Sequence, residues 1–273
     1  MASKANIDAW FERIGFAGSI APSLETLSQL VQLHVAAIPF ENLDPLMGAP
    51  VRLDLANLQQ KLLFDRRGGF CLEQNLLFKA MLEELDFEVK LHGAVVRWGA
   101  DDGEDRPVSH VLLTVDVAGT PYLVDVGFGG LTPTAPLRLR ADLEQATVHE
   151  TFRLSEADGL WRLDARLGED WKALYTFDRT ELGEDQLLDV NESVSTRGLF
   201  VERLVAARAE KGRRLALDNL KFSTHLTGGP SETRMLTSVA ELREVLSGPF
   251  GISLPHDERL DPALQRIVDG GLD

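Results

Sequence analysis

The chain is predicted to fold as an α+β protein. Apolar residues recur at helical spacing through the first third, short strands separated by turn signals fill the middle, and the pattern turns mixed after about Asn191.

Ile7 to Ile14 carries Trp10, Phe11 and Ile14 at helical spacing and is ended by Gly15. Ser23 is placed to cap a helix running to about Val35, with Leu24, Leu27, Val31 and Val35 on one face. Pro39 stops helical continuation, and Leu53 to Phe64 reads as a further short helix. Cys71 to about Leu85 is the clearest helix. Leu72, Leu76, Ala80 and Leu82/Leu85 form its apolar stripe, and Glu73 sits in the first turn, where the dipole favours an acid.

Strands are expected over Phe87–Trp98, His110–Val117, Tyr122–Val126, Thr151–Leu154, Leu160–Ala165 and Trp171–Phe177. The turn signals include Asp101-Asp102-Gly103, Ala118-Gly119 and Asp158-Gly159. Short strands at even spacing suggest an antiparallel barrel or a strongly curved sheet. Further on, Leu199–Glu210 reads as helix and Leu215–Phe222 as strand. Ser238–Leu246 reads as a helix with a capping box at Ser238-Val-Ala-Glu241 and a stop at Gly248-Pro249.

At 273 residues, two or three packed sub-domains are as plausible as one. Hydrophobic residues at 44% and charged residues at 26% are ordinary for a globular protein. No apolar run approaches the roughly 20 residues of a spanning helix, and the first residues lack a signal peptide's apolar stretch, so a cytoplasmic location is expected. The net charge of −15 disfavours nucleic acid and anionic membranes as partners. A single cysteine excludes an internal disulfide and a Cys-rich zinc site, and leaves two readings: a small buried apolar residue or a reactive thiol.

Three places carry chemistry. Cys71 opens a helix behind Gly68-Gly69, so a thiolate there gains from the positive helix end, with Arg66 and Arg67 close in sequence. His110 begins an apolar strand. Asp125 interrupts Leu123-Val124 and Val126, and a carboxylate in such a run is rarely buried unless paired. Taken singly, His110 also reads as a satisfied core histidine and Asp125 as a cap on the Gly-rich turn after it. Together they make a nucleophile, base and orienter in the order Cys, His, Asp. A hairpin turning at Ala118–Pro121 would put His110 and Asp125 on neighbouring strands. No Gly-x-Ser-x-Gly elbow, His-Glu-x-x-His or phosphate loop competes, and His34, His92, His149, His225 and His256 do not cluster at metal-ligand spacing, so no metal is expected.

At these residues the chain resembles the arylamine N-acetyltransferase family, in its bacterial form. The matches are Arg67-Gly-Gly-Phe-Cys71-x-Glu73-x-Asn75, His110, Asp125-Val-Gly-Phe128-Gly-Gly and, upstream, Ile38-Pro-Phe40-Glu41-Asn42-Leu43. The resemblance implies an N-terminal helical bundle, a central antiparallel β-barrel and a C-terminal α/β lid around a cysteine-protease-like Cys-His-Asp core, placed here at residues 1–86, 87–190 and 191–273. It implies ping-pong acetyl transfer from acetyl-CoA, a co-substrate rather than a bound cofactor, through Cys71 to arylamines, arylhydrazines or arylhydroxylamines, the chemistry of xenobiotic metabolism. By position, Phe40 and Phe128 match residues of the acceptor pocket, with Val95 and Val96 nearby. Gly127, Gly129 and Gly130 resemble a Gly-rich turn near the CoA pyrophosphate, and Phe200 and His225 correspond to CoA contacts. Arg203, Arg208, Lys211, Arg213, Arg214 and Lys221 make a basic stretch that either meets CoA phosphates or forms a solvated helix face. The rival readings are an amide synthase of antibiotic biosynthesis and a cysteine hydrolase or transglutaminase-like enzyme. Monomer and homodimer both remain open.

Overall fold

The computed structural model describes residues 4–101 and 104–270, so the turn expected at Asp101-Asp102-Gly103 falls largely outside the described residues. Four short helices lead the chain: α1 (Ile7–Ile14), α2 (Leu24–Ala37), α3 (Leu43–Leu46) and α4 (Leu55–Gln59), with the two-residue strand β1 (Phe40–Glu41) between α2 and α3. Asn6 caps α1, Gly15 ends it in the left-handed conformation, and the Ser23 hydroxyl accepts from Thr26 N at the start of α2. The segment expected as one helix over Leu53–Phe64 splits: α4 gives way to a π-helical turn, Gln60–Phe64, closed by Asp65 N donating to Gln60 O. Buried Arg13 fastens this turn through its Nε to Leu62 O at 3.0 Å. Next comes α5 (Cys71–Glu84).

The middle of the chain supplies β2 (Glu88–Val96), β3 (His110–Val117), β4 (Thr120–Val124), β5 (Leu137–Arg138), β6 (Glu144–Ala146), β7 (Thr151–Ala157), β8 (Leu160–Leu167) and β9 (Asp170–Glu181). They form one antiparallel sheet in the order β5-β4-β3-β2-β9-β8-β7-β6. The hairpins β3–β4 and β7–β8 turn at Ala118-Gly119 and Asp158-Gly159, where all four residues have positive φ, as a two-residue type I′ turn requires. The sheet curls until its two end strands face each other. There the Gln145 side chain stands in for a backbone unit: its oxygen accepts from Arg138 N (2.7 Å) and its amide donates to Arg138 O (3.0 Å).

The remainder holds α6 (Glu184–Thr196), α7 (Leu199–Glu202), β10 (Val205–Glu210), β11 (Arg213–Asp218), β12 (Lys221–Leu226), β13 (Ser231–Met235), α8 (Val239–Ser247) and α9 (Leu260–Gly270). Its antiparallel sheet runs β1-β10-β11-β12-β13, so a segment from the N-terminal helical region forms its first strand. The helix expected over Leu199–Glu210 is confined to Leu199–Glu202. Asn42 ends it, donating to Phe200 O and Arg203 O and accepting from Val205 N, and β10 then pairs between β1 and β11. The strand expected over Leu215–Phe222 is broken by a hairpin at Asn219, whose φ of 51° reverses the chain. Ser238 caps α8 as expected, while α6, α9 and β13 were not anticipated. No helix among the described residues is long and apolar enough to cross a membrane. The buried apolar side chains form three clusters: one among the helices and the barrel strands they cover, one inside the barrel, and one between the second sheet and α8–α9.

A buried polar relay ties the helices to the loop before Cys71. Trp10 Nε1 donates to His34 Nδ1 (3.1 Å), His34 Nε2 meets Gln74 Oε1 (2.8 Å), and the Gln74 amide donates to Pro39 O (2.9 Å) and Gly69 O (3.3 Å). Because the indole can only donate, His34 must accept at Nδ1 and is neutral. Burial lowers its pKa to about 4.

Two measurements test these features. Gln145→Leu removes both seam hydrogen bonds and should lower stability by about 1 kcal/mol, read as an earlier urea midpoint. For His34, the folded state binds a proton less readily than the unfolded chain, so its contribution falls as pH drops from 6.5 towards 4. Urea unfolding of the wild type should lose about 2 kcal/mol more than His34→Gln between pH 7 and pH 5; parallel curves would contradict the assignment.

Candidate active site

Cys71 is the first residue of α5 and is buried, at 3% exposure. The backbone approaches its helix start very closely. A Cβ on Gly68 would lie 2.2 Å from Pro39 O, and one on Gly127 would lie 2.8 Å from the Cys71 Cα, so both positions need glycine. His110 opens β3, and Cys71 is among the groups that raise the pKa of its ring. The sulfur also lies 3.8 Å from the Ser109 carbonyl oxygen.

Asp125 sits one residue past the end of β4. Its Oδ2 accepts from His110 Nε2 at 2.8 Å. Its Oδ1 accepts from Gly127 N (2.9 Å) and Asn75 Nδ2 (3.1 Å). Asn75 lies one helical turn after Cys71 on the same face of α5. Its amide also donates to Val111 O (2.9 Å) and accepts from Val126 N (3.1 Å), fastening helix to strand.

The electrostatics follow from this geometry. Burial by itself pushes the His110 pKa down. The Asp125 charge and hydrogen bond, and then Cys71, outweigh it and hold the ring up at about 10. Burial pushes Asp125 up, but the His110 charge and the donors from His110, Gly127 and Asn75 keep it below the usual carboxylate range. A base held as imidazolium beside a sulfur is the resting arrangement of an ion-paired cysteine nucleophile.

The structure gathers most of the other expected residues here. Phe128 packs its ring against His110 at 5.2 Å between centroids and against Tyr175 at 5.1 Å. Val95 and Val96 are half-buried on β2, the latter paired with Tyr175. A Cβ on Gly129 would lie 3.7 Å from the Phe40 ring, and Phe40 meets Phe200 edge to face (5.8 Å), which in turn meets Phe70 (5.6 Å). Gly130 is exposed at the end of the turn. His225 stands apart: it is exposed on β12 and bonded to Ser231 Oγ at 2.7 Å.

The basic stretch forms no helix face, since β10 to β12 carry most of it. Arg203 pairs with Asp218, Arg213 with Glu210, and Arg214 with Glu150, while Arg208 donates to the carbonyls of Ala36, Pro249 and Phe250. Among the described residues no group of three or more His, Cys, Asp or Glu side chains could hold a metal.

Beyond the expected set, Asn75 and Tyr175 lie against Asp125 and His110, and Thr132 lies beside the Gly-rich turn. Asn75 had a signal, since asparagine in mid-helix is a poor helix former and stands four residues after Cys71. Tyr175 is fully buried, its ring 5.1 Å from that of His110, and burial followed by the Asp125 charge raises its pKa well above normal. In the sequence it reads as an ordinary strand aromatic. Thr132 borders a cleft with Phe40, Gly129 and Ala207, and its buried hydroxyl has no partner among the described residues.

The chain is similar to known proteins over most of its length. A family model described as N-acetyltransferase matches residues 23–259. The chain is 39% identical to an arylamine N-acetyltransferase of Mycobacterium tuberculosis over 91% of its own length and 90% of the relative's. It is 36% identical to the arylamine N-acetyltransferase / N-hydroxyarylamine O-acetyltransferase of Salmonella typhimurium, over 91% and 89%. The structure of Mycobacterium marinum arylamine N-acetyltransferase in complex with CoA superposes with a TM-score of 0.91 at 36% identity, over 96% of this chain and 99% of that one. Fold and family match together define an acetyltransferase. The chain belongs to the arylamine N-acetyltransferase family.

Asp125→Asn removes the anion that holds His110 protonated. Alkylation of Cys71 by iodoacetamide at pH 7, followed by intact mass, is expected to slow by up to about 30-fold, the thiolate fraction lost when a thiol returns to ordinary acidity; an unchanged rate would place the thiol outside the control of Asp125.

Proposed function

We propose that this protein transfers the acetyl group of acetyl-CoA to arylamines, arylhydrazines or arylhydroxylamines by a ping-pong route, with Cys71 as acyl carrier, His110 as acid and base, and Asp125 as the group that orients His110. The observation that carries the reading is the buried Cys71–His110–Asp125 line, with its 2.8 Å ion pair, in a chain of this family.

In the first half, the Cys71 thiolate attacks the thioester carbon. The carbon–sulfur bond to CoA breaks, and the departing sulfur takes the proton from His110. The result is an acetyl thioester on Cys71, a neutral imidazole and free CoA. In the second half the amine nitrogen attacks that thioester, His110 accepts the amine's proton, and Cys71 leaves as thiolate. The imidazolium–thiolate pair is thereby restored.

Phe40, Phe128, Val95 and Val96 are proposed to flank the acceptor, since Phe128 packs beside His110, Val95 and Val96 follow its strand partner Ala94 on β2, and the Phe40 ring lies against the Gly129 turn. Gly127, Gly129 and Gly130, with Phe200 and His225, are proposed for CoA. In support, the Thr132 hydroxyl is unpartnered beside Gly129, and backbone N–H groups of a Gly-rich turn can meet a pyrophosphate. The basic stretch adds little to that proposal, because four of its arginines are already engaged within the protein. The division into units at 1–86, 87–190 and 191–273 is also a proposal, and α6 bridges its second boundary.

Incubation with acetyl-CoA should add one acetyl group to the intact mass of the wild type and none to Cys71→Ala. A panel of arylamines and hydrazines should then release CoA in the wild type alone. Hydrolysis of a peptide amide without acetylation would instead favour a cysteine hydrolase.

A further inference from the structure

A second group of buried charges lies behind the nucleophile and takes no part in the chemistry above. It lines a polar cavity of about 350 Å³ bounded by Asp44, Lys61, Arg67 and Glu73, together with the exposed Arg52 and Asp65. Lys61 sits on the π-helical turn. Its Nζ lies 2.6 Å from Glu73 Oε1 and 2.6 Å from Asp44 Oδ2. Glu73 is 1% exposed, and its other oxygen accepts from Phe70 N at 3.1 Å, so one carboxylate joins Lys61 to the residue just before Cys71. The contact is tight: a Cβ on Gly69 would stand 2.8 Å from Glu73 Oε2.

We propose that Lys61 is a positioning residue for the nucleophile: its ammonium keeps the Glu73 carboxylate charged and turned onto Phe70 N–H, and so fixes the Gly68–Phe70 segment from which Cys71 begins its helix. This rests on Cys71 being the acyl carrier.

The surroundings of Glu73 explain why Lys61 is needed. Lys61 faces it from the π-helical turn, Asp44 from α3, Glu41 from β1 and Arg67 from the loop before α5, where Arg67 is held by Glu41 and Asp44. Burial raises the Glu73 pKa, Asp44 and Glu41 raise it further, and Lys61 is the cation that opposes them. Without Lys61 that opposition is lost, so the carboxyl takes up a proton more readily, and the charged acceptor that caps Phe70 N–H becomes a weaker neutral one.

The test reads the alkylation rate of Cys71 by iodoacetamide as a ratio to wild type, from pH 6 to pH 9. For Lys61→Met the ratio should fall about tenfold at pH 6, the effect of one hydrogen bond to a charged acceptor, and recover towards pH 9. In Lys61→Met/Glu73→Gln the ratio should be flat with pH, because a glutamine oxygen caps an N–H without needing charge. A ratio for Lys61→Met that does not vary with pH overturns the proposal, as does an acid loss that persists in the double variant. Should Lys61→Met fail to fold, Glu73→Ala is expected to react more slowly than Glu73→Gln at every pH, and equal rates would overturn it. Alkylation needs neither acetyl-CoA nor an amine. A protein that shows this profile yet never acetylates would therefore sink the acyl-transfer reading and leave the positioning role standing.

Discussion

The site depends on one buried carboxylate. Asp125 is 1% exposed, and a charge so placed persists only because its oxygens accept from His110, Gly127 and Asn75. The three donors come from β3, the Gly-rich turn and α5. One anion therefore fixes His110, the turn and α5 relative to one another. Its charge is also what keeps His110 protonated against burial, so position and protonation share a cause.

Cys71 lies between two sets of paired charges. On one side is the His110–Asp125 pair. On the other, Arg67 bridges Glu41 and Asp44 while Lys61 bridges Asp44 and Glu73. Neither set has much freedom, because breaking a buried pair leaves an uncompensated ion. The net charge of −15 is compatible with this interior. Even in the arginine-rich C-terminal third, Glu150, Glu210 and Asp218 take up the cations, so an anionic ligand would find backbone N–H groups more readily than free guanidinium.

The site was more legible in the sequence than the C-terminal fold. Cys71, His110 and Asp125 each stand out locally: one opens a helix behind two glycines, one begins an apolar strand, and one interrupts such a run. The hairpin between the last two was readable from Ala118-Gly119. Asn75 and Tyr175 were harder, because their roles arise only when distant segments pack. The helix expected over Leu199–Glu210 failed for the same kind of reason. Val205–Glu210 carries alanines that suit a helix, and what makes them a strand is pairing with Phe40–Glu41 and the clamp from Asn42, more than 150 positions away. The π-helical turn, held by Arg13, was likewise beyond a local reading.

The two sheets deal with their open edges differently. The second ends in β13, an exposed strand carrying Glu232 and Arg234, whose charges discourage another chain from adding on. The barrel instead hides its ends behind the Gln145 amide, and the strands that meet there are only two and three residues long. If that seam parts, the newly bared backbone is too short to template pairing with a second molecule. The barrel can thus breathe at its weakest line without becoming a nucleus for aggregation.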